Sequence, residues 1–552
     1  MYRSFFQRSI SIFTQRQTNI LSAALIIMIT IILSQILGII RQRLLISIFG
    51  ASDITGIYLA SARLPDFLFQ LIIAGALSSA FIPIFSDYLA EARDEDAHRM
   101  ASTLLIIGMF IFSAISIVLF IFAPFFLQLF NVGSGFSLSQ MHLMANLMRI
   151  ILFGQLIFII GSFFSALLQS YNHFLIPGLA GAFYNMGIII GIVALSGSIG
   201  IYAPAIGIIF GSIFFIIVQI PLVRKIGFSF IPSLSFSDSG IIEVSRLMWP
   251  RTISIGVYQL GTLITVTMIS FLSTPGRNYV ILDYAQTIAF APVALIGQAI
   301  AQAAFPVLSR ERTRLESFKK IFMTSFNQLA YLVLPFSALL LVLRIPIVRI
   351  LYGLPQFDWG ATLLTGKTLA VLTFSISAQA LICLVSRAFY ALHDSKTPLF
   401  IGTLSTLLMI ILGFILIIYY KLGIEGIALA YSVSSIINLV LLMIFLNKKV
   451  NGFNKIEILV SLSKIFLATI CTGYAIYIPI KLLDQLVLDT THTINLLIIT
   501  IIASLIGLCI YLFLTWFLNV KEAFTFLLLF RKLGNWREIL QNSDEAIGVT
   551  RL

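Results

Sequence analysis

The sequence predicts an all-α polytopic membrane protein of about 14 transmembrane helices, two six-helix repeats followed by two C-terminal helices. Three observations carry this. Of 552 residues, 59% are hydrophobic and only 10% charged, against roughly 25% charged in a soluble domain. Apolar runs long enough to cross a bilayer core, about 20 residues each, recur along almost the whole chain. Stretches of the second half also repeat stretches of the first at a nearly constant offset.

Bounded by turn residues and charges, the runs place spans at 20–48, 57–87, 100–130, 138–170, 174–197, 201–223 and 243–272. They continue at 279–309, 318–352, 362–392, 397–420, 424–447, 456–482 and 494–520. Several exceed the minimum length, so tilt or kinks are expected. The arm before residue 20 is polar and basic, with Arg3, Arg8 and Arg16. The run after it is too long for a signal-peptide core, so the first span is expected to be retained.

An even number of spans puts both ends on one side. Lys and Arg crowd one set of loops, about 22 of them, by the arm, 93–99, 224–246, 310–320, Lys396, 448–455 and the tail. The opposite loops hold Arg277, Lys367, Lys421 and Lys481. By the positive-inside rule both termini are expected to be cytoplasmic. The domain plan is an arm (1–19), a six-helix lobe (20–225), a second lobe (240–450), two further helices (455–520) and a cytoplasmic tail (521–552). The tail segment "FTFLLLFRKLGNWREIL" is amphipathic enough to lie on a membrane surface.

The repeat is visible by eye. "ARLPDFLFQLIIAGALSSAFIPIFS" (62–86) lies over "AQTIAFAPVALIGQAIAQAAFPVLS" (285–309) at an offset of 223, and "SALLQSYNHFLIP" (165–177) over "SRAFYALHDSKTP" (386–398) at 221. Six helices per half give both halves one orientation, related by an axis along the membrane normal. That symmetry suits alternating access.

The chain has no P-loop, HExxH, GxSxG or CxxC. Its cysteines, Cys383, Cys471 and Cys509, lie in apolar segments, and its five histidines are scattered. No catalytic residue, metal or cofactor is expected. The formal charge of +13 is spread between spans rather than gathered in one patch, so no nucleic-acid partner is expected either.

Ionisable groups inside spans carry the functional signal, because a charge at the bilayer centre costs about 2.5–3.5 kcal/mol on insertion scales. They are Arg41, Arg43, Arg63, Arg149, Arg251, Arg344, Arg349, Arg387 and Lys464, with Asp66, Asp283 and Glu457 as carboxylates. Arg344 and Arg349, near a span end, are expected to snorkel. Arg251 follows Trp249-Pro250, where snorkelling and a cavity gate are equally open. At about 100° per residue Arg41 and Arg43 point about 200° apart, so only one can line a given cavity. Arg63, Asp66 and Gln70 share a helix face, either pairing among themselves or forming a polar wall opposite the first span. A guanidinium on such a wall suits an anion, since its fork binds phosphate oxygens in pairs. Asp394 reads either as a helix cap or as part of an ion site.

"LGIIRQRLLISIFGA", "ARLPDFLFQLIIAGALSSAFIPIFSDY", "NHFLIPGLAGAFYN", "AFPVLS" and "RAFYALHDSKTP" together resemble MurJ (MviN), the lipid II flippase family of the MOP exporter superfamily. The likeness runs from about residue 20 to 450. It implies a 14-helix transporter in two lobes that moves undecaprenyl-pyrophosphate-linked peptidoglycan precursor from the inner to the outer leaflet of the bacterial cytoplasmic membrane. A cationic cavity between the lobes would take the head group, and the last two helices the polyprenyl tail. The implied partners are the precursor lipid, membrane lipids and cell-wall synthesis proteins. Arg41 falls on a cavity-arginine position of the family, and the others fall on the neutral Gln35, Gln70 and Thr287. Arg43, Arg63, Arg149 or Arg251 are candidates to replace the missing charge. The family's acidic residue after the IFGA turn corresponds to Gly56, with Asp53 three residues earlier. The substrate-binding candidates are therefore Arg41, Gln35, Gln70, Arg63, Arg251 and Thr287. Competing readings are a flippase of another lipid-linked glycan, a drug/cation antiporter of the same superfamily, and a non-transporting scaffold.

Overall fold

The computed structural model describes residues 20–74, 81–131, 133, 135–232, 239–486 and 493–524. Among them every regular element is a helix. The first half holds α1 (Ile20–Phe49), α2 (Asp53–Ser61), α3 (Arg63–Phe69), α4 (Ile82–Ala90), α5 (Asp94–Ile121), α6 (Ala123–Phe130), α7 (Leu138–Ser170), α8 (Leu175–Ile199), α9 (Tyr202–Ile217) and α10 (Ile220–Lys225). The second holds α11 (Ser239–Ile269), α12 (Pro275–Pro292), α13 (Gln298–Arg310), α14 (Leu315–Val342), α15 (Arg344–Tyr352), α16 (Trp359–Ala391), α17 (Lys396–Phe414) and α18 (Ile424–Lys449). The chain then adds α19 (Lys455–Leu486) and α20 (Thr493–Phe517).

Twelve helical stretches among the described residues are long and apolar enough to cross a membrane; this is a multi-pass membrane protein. Of the other two expected spans, 57–87 includes positions outside the described residues and overlaps α2, α3, a π turn and α4. Span 243–272 includes side chains outside them and overlaps α11, itself 31 residues long. The expected spans 100–130 and 318–352 each divide, at Phe122 and Leu343. Pro124 and Pro346 explain the breaks, because a proline lacks the N–H that would continue the preceding helix and fits only a new first turn.

Local chemistry sets the ends. Gly50 closes α1 with φ +67°, a left-handed conformation that costs glycine little. Ser52 then caps α2, its side chain accepting from Thr55 N, and Asp53 complements the dipole in the first turn. Ser137 and Gln140 form a reciprocal capping box at the start of α7.

The duplication seen in the sequence extends to the backbone. Asp94–Ile121 and Leu138–Ser170 recur as Leu315–Val342 and Trp359–Ala391, each end shifted by 221 (315 − 94 and 359 − 138). The left-handed residues Asn172 and Gly200 recur as His393 and Lys421, again 221 later. A π turn at Gln70–Ala74 recurs at Val293–Gly297, shifted by 223.

The chain forms two compact units. One comprises the described residues up to Asp283 with Leu351–Thr362 and Thr406–Ile427; the other comprises Tyr284–Ile350, Leu363–Ser405 and the described residues from Ala428. In the first, Phe81, Phe85, Met100, Phe163 and Leu167 centre an apolar core. There α8 and α9 meet on glycines: a Cβ on Gly187 would lie 2.3 Å from Gly211 N, and one on Gly191 2.4 Å from Gly207 Cα. Such close backbone approach is how helices associate where lipid removes the hydrophobic drive. In the second unit, α19 and α20 pack on α14, where Tyr511 OH donates to Tyr331 O at 2.6 Å.

Candidate functional site: an ionic cluster in the first compact unit

Four of the charged residues expected inside spans, Arg41, Arg63, Asp66 and Asp283, come together within the first unit, whereas Arg344, Arg349, Arg387 and Lys464 belong to the other. Asn185 on α8 sets the rotation of α1, its Nδ2 donating to Ser34 O at 3.2 Å and Ser34 Oγ at 3.3 Å. Two turns further along α1, Arg41 is half-buried. Its charge acts on Asp66, Tyr58 and Tyr184, yet it makes no hydrogen bond or ion pair among the described residues. Arg43 is also half-buried and has interactions of its own.

The polar face of span 2 forms, but neither expected pairing within it does. Leu64 and Leu68 bury one side of α3, which turns Arg63 and Asp66 toward other helices. Arg63 Nη2 meets Asp283 Oδ1 on α12 at 2.5 Å, and Arg63 Nε donates to Tyr279 OH. The guanidinium carbon also lies 5.5 Å from the Tyr279 ring centroid, within cation–π range. Asp66 instead accepts from Gln155 Nε2 on α7 at 2.8 Å. Gln155 is buried and its Oε1 has no hydrogen-bond partner. Among the described residues four formal charges thus share this region, Arg41 and Arg63 against Asp66 and Asp283, and they sum to zero.

Arg63 also lines a cavity, with Asn131 as a polar neighbour among apolar walls that include Leu64, Phe136, Met144 and Leu263. Gln70 opens the π turn directly after α3 and is half-buried. Gln35 is exposed on α1. Thr287 lies on α12 in the other compact unit, half-buried. The side chains of Arg251 and Glu457 lie outside the described residues, as do the N-terminal arm and the tail beyond 524. Arg149 is occupied locally, Nε donating to Phe120 O and Nη1 to Asn146 Oδ1, both at 3.0 Å. Arg344 donates to Leu341 O at 2.8 Å.

Position 56 has a steric explanation. A Cβ on Gly56 would lie 1.9 Å from Gly276 O, and one on Gly276 2.4 Å from Asp53 O. The backbones of α2 and α12 cross in contact, so no side chain, acidic or otherwise, fits there. Asp53 ties the crossing, its Oδ1 accepting from Arg277 N at 2.8 Å. Arg277 Nη2 in turn holds both oxygens of Asp358, at 2.7 and 2.8 Å. That bond from Arg277 holds the Asp358 carboxyl below the usual carboxylate range. Tyr352 OH donates to Gln42 Oε1 at 2.9 Å, tying the same region to α1 next to Arg41.

In the second unit Asp394 caps α17, accepting from Thr397 N at 3.0 Å and Thr397 Oγ1 at 2.8 Å, and pairs with Lys449 Nζ at 2.6 Å. Burial pushes this carboxyl up, but the bonds from Lys449 and Thr397 leave it below its ordinary range.

Sequence reasoning did not place Asp283, Tyr279 or Gln155 in the site. Asp283 carried a signal as an in-span carboxylate; Gln155 and Tyr279 carried little, because amides and tyrosines are common in membrane helices.

A model of the family described as "Lipid II flippase MurJ" matches residues 45–500. A relative from Buchnera aphidicola subsp. Acyrthosiphon pisum, named "Probable lipid II flippase MurJ", is 26% identical over 432 residues, covering 77% of this chain and 83% of that protein. A solved structure titled "Lipid II flippase MurJ, inward closed conformation" superposes with a TM-score of 0.73 at 26% identity, covering 90% of this chain and 99% of that one. A multidrug-resistance MATE transporter of the MOP superfamily shares the fold, with a TM-score of 0.63 at 12% identity over 76% of this chain and 94% of that one. These are transporters rather than enzymes, and the matched segment spans both halves of the repeat. The chain belongs to the lipid II flippase MurJ family.

Proposed function

We propose that this protein moves a polyprenyl-pyrophosphate-linked peptidoglycan precursor, lipid II, from the cytoplasmic to the outer leaflet of a bacterial cytoplasmic membrane by alternating access. Both termini are cytoplasmic in this reading. The observation that carries it is Arg41, a guanidinium inside a predicted span with no hydrogen-bonding or ionic partner among the described residues. A charge in that setting costs about 2.5–3.5 kcal/mol, a cost that an anionic ligand offsets. Phosphate oxygens fit its planar fork.

Arg41 and Arg63 bind the pyrophosphate; Gln35, Gln70, Arg251 and Thr287 supply further polar contacts to the head group. The lobes 20–225 and 240–450 alternate about the site, and the helix pair within 455–520 guides the polyprenyl tail. Cell-wall synthesis proteins are the candidate protein partners. A second reading, transport of another lipid-linked glycan, is favoured by the neutral side chains of Gln35, Gln70 and Thr287.

Translocation of labelled lipid II in proteoliposomes, together with rescue of flippase-depleted cells, tests the proposal. Arg41→Ala is expected to lose most activity and Arg344→Ala little. Failure of well-folded wild-type protein in both assays refutes lipid II as the cargo. Mass spectrometry of the co-purified lipid then separates the second reading from no transport.

A further inference from the structure

We propose that Asp283 is a resident counter-ion that the substrate's pyrophosphate displaces from Arg63, so that cargo binding itself opens the link between α3 and α12. The inference rests on the pyrophosphate-lipid reading above.

The charge balance of the cluster motivates it. Among the described residues Arg41 and Arg63 stand against Asp66 and Asp283, so these four formal charges sum to zero. A pyrophosphate diester brings about two negative charges into a low-dielectric setting, where like charges a few ångströms apart repel by several kcal/mol. Arg41 offers the anion one guanidinium that has no ion pair among the described residues; the second, Arg63, becomes available only when its carboxylate leaves. Of the two acids, Asp66 is bonded by the neutral Gln155 amide, and removing it frees no guanidinium. Asp283 is bonded to Arg63 itself, and its removal frees one.

The geometry permits the exchange. Carboxylate and phosphate present similar paired oxygens to a guanidinium, so phosphate can take the face that Asp283 occupies. The pair is not sealed: the side chains of Arg63 and Asp283 retain 30% and 16% exposure. Tyr279 OH and ring stay on Arg63 through the exchange and hold the guanidinium in place.

The consequence is mechanical. α3 leads into the π turn at Gln70–Ala74 and α12 into the equivalent one at Val293–Gly297. Such turns commonly mark functional distortions in helices. The Arg63–Asp283 bond joins the two helices seven and ten residues ahead of these turns (70 − 63 and 293 − 283), so an anion that breaks it frees both helices at once. Asp283 also sets specificity, because a neutral cargo cannot displace it.

The test uses full-length protein in nanodiscs with undecaprenyl pyrophosphate as the probe. Asp283→Asn is expected to bind the probe about tenfold tighter than wild type, while lipid II translocation slows because the carboxylate no longer helps expel the anion. Arg63→Gln combined with Asp283→Asn is expected to lose that gain. Unchanged or weaker binding by folded Asp283→Asn overturns the exchange, as a purely structural ion pair would give. An independent readout covers a misfolding variant: wild-type protein carrying isotope-labelled aspartate must show a carboxylate infrared shift when probe is added, and no shift overturns the proposal. Wild-type protein that binds no probe overturns the pyrophosphate reading underneath; wild-type binding without the Asp283→Asn gain overturns only the exchange.

Discussion

Replacing Gly56 by Asp restores the carboxylate expected after the IFGA turn, and the structure predicts harm rather than recovery. The new Cβ would lie 1.9 Å from Gly276 O, 2.3 Å from Gly276 C and 2.4 Å from its Cα. Carbon atoms pack best at about 3.5–4.0 Å, so α2 and α12 must separate by roughly 1.5 Å. The obstacle is backbone, not the tip of a flexible side chain, so the cost sits at or above the upper end of the overpacking range, about 3 kcal/mol. Separation also stretches the bond from Arg277 N to Asp53, 2.8 Å in the native structure. The assay is thermal unfolding in detergent beside lipid II translocation in proteoliposomes. Gly56→Asp should lower Tm by several degrees, and Gly56→Ala by nearly as much, since the clash begins at Cβ. If Gly56→Asp is as stable as wild type and transports faster, the steric account is wrong and position 56 is an ordinary lost carboxylate.

Other outcomes follow from the same geometry. Arg41→Ala, which removes no hydrogen bond or ion pair among the described residues, should leave Tm within about a degree of wild type while transport collapses; a large fall in Tm would make Arg41 structural. Gln155→Leu strips Asp66 of its amide donor at 2.8 Å and should destabilise by about 2 kcal/mol or more, read as a Tm shift that Asp66→Asn partly cancels. The partly exposed Arg277–Asp358 pair should contribute under about 1 kcal/mol. Because the folded Asp358 pKa is depressed, that contribution is present above the ordinary aspartate value of about 3.9 and is lost as pH falls through the lower folded value. Tm curves of wild type and Asp358→Asn should therefore differ at pH 6 to 8 and converge in acid; a gap that widens in acid reverses the sign. Asp394→Ala loses both a cap and the Lys449 bond and should cost about 1 kcal/mol, checked against Thr397→Val, which loses only one of the cap's two hydrogen bonds.

Membrane physics made much of this fold legible. Without water in the bilayer core a spanning segment must satisfy its own backbone, so apolar runs report helices directly. The predicted span 138–170 coincides with α7. The duplication was equally legible, since offsets of 221 and 223 in the sequence reappear in helix ends, left-handed residues and π turns. Within span 57–87 hydropathy is blind to the π turn at Gln70–Ala74, which keeps the same apolar residues and changes only their phase. The shared face of Arg63 and Asp66 followed from helical spacing, but their partners did not.

By itself, then, the sequence determined the all-helical membrane class, the repeat and which charges lie within apolar runs, because each is legible in the chain without knowledge of its packing. Tertiary structure decided that Arg63 meets Asp283, 220 residues away, and that Gln155 meets Asp66, 89 residues away. It also decided that Gly56 leaves no room for a carboxylate. Helical periodicity gives the direction in which a side chain points; only the packing of separate helices determines what stands in front of it.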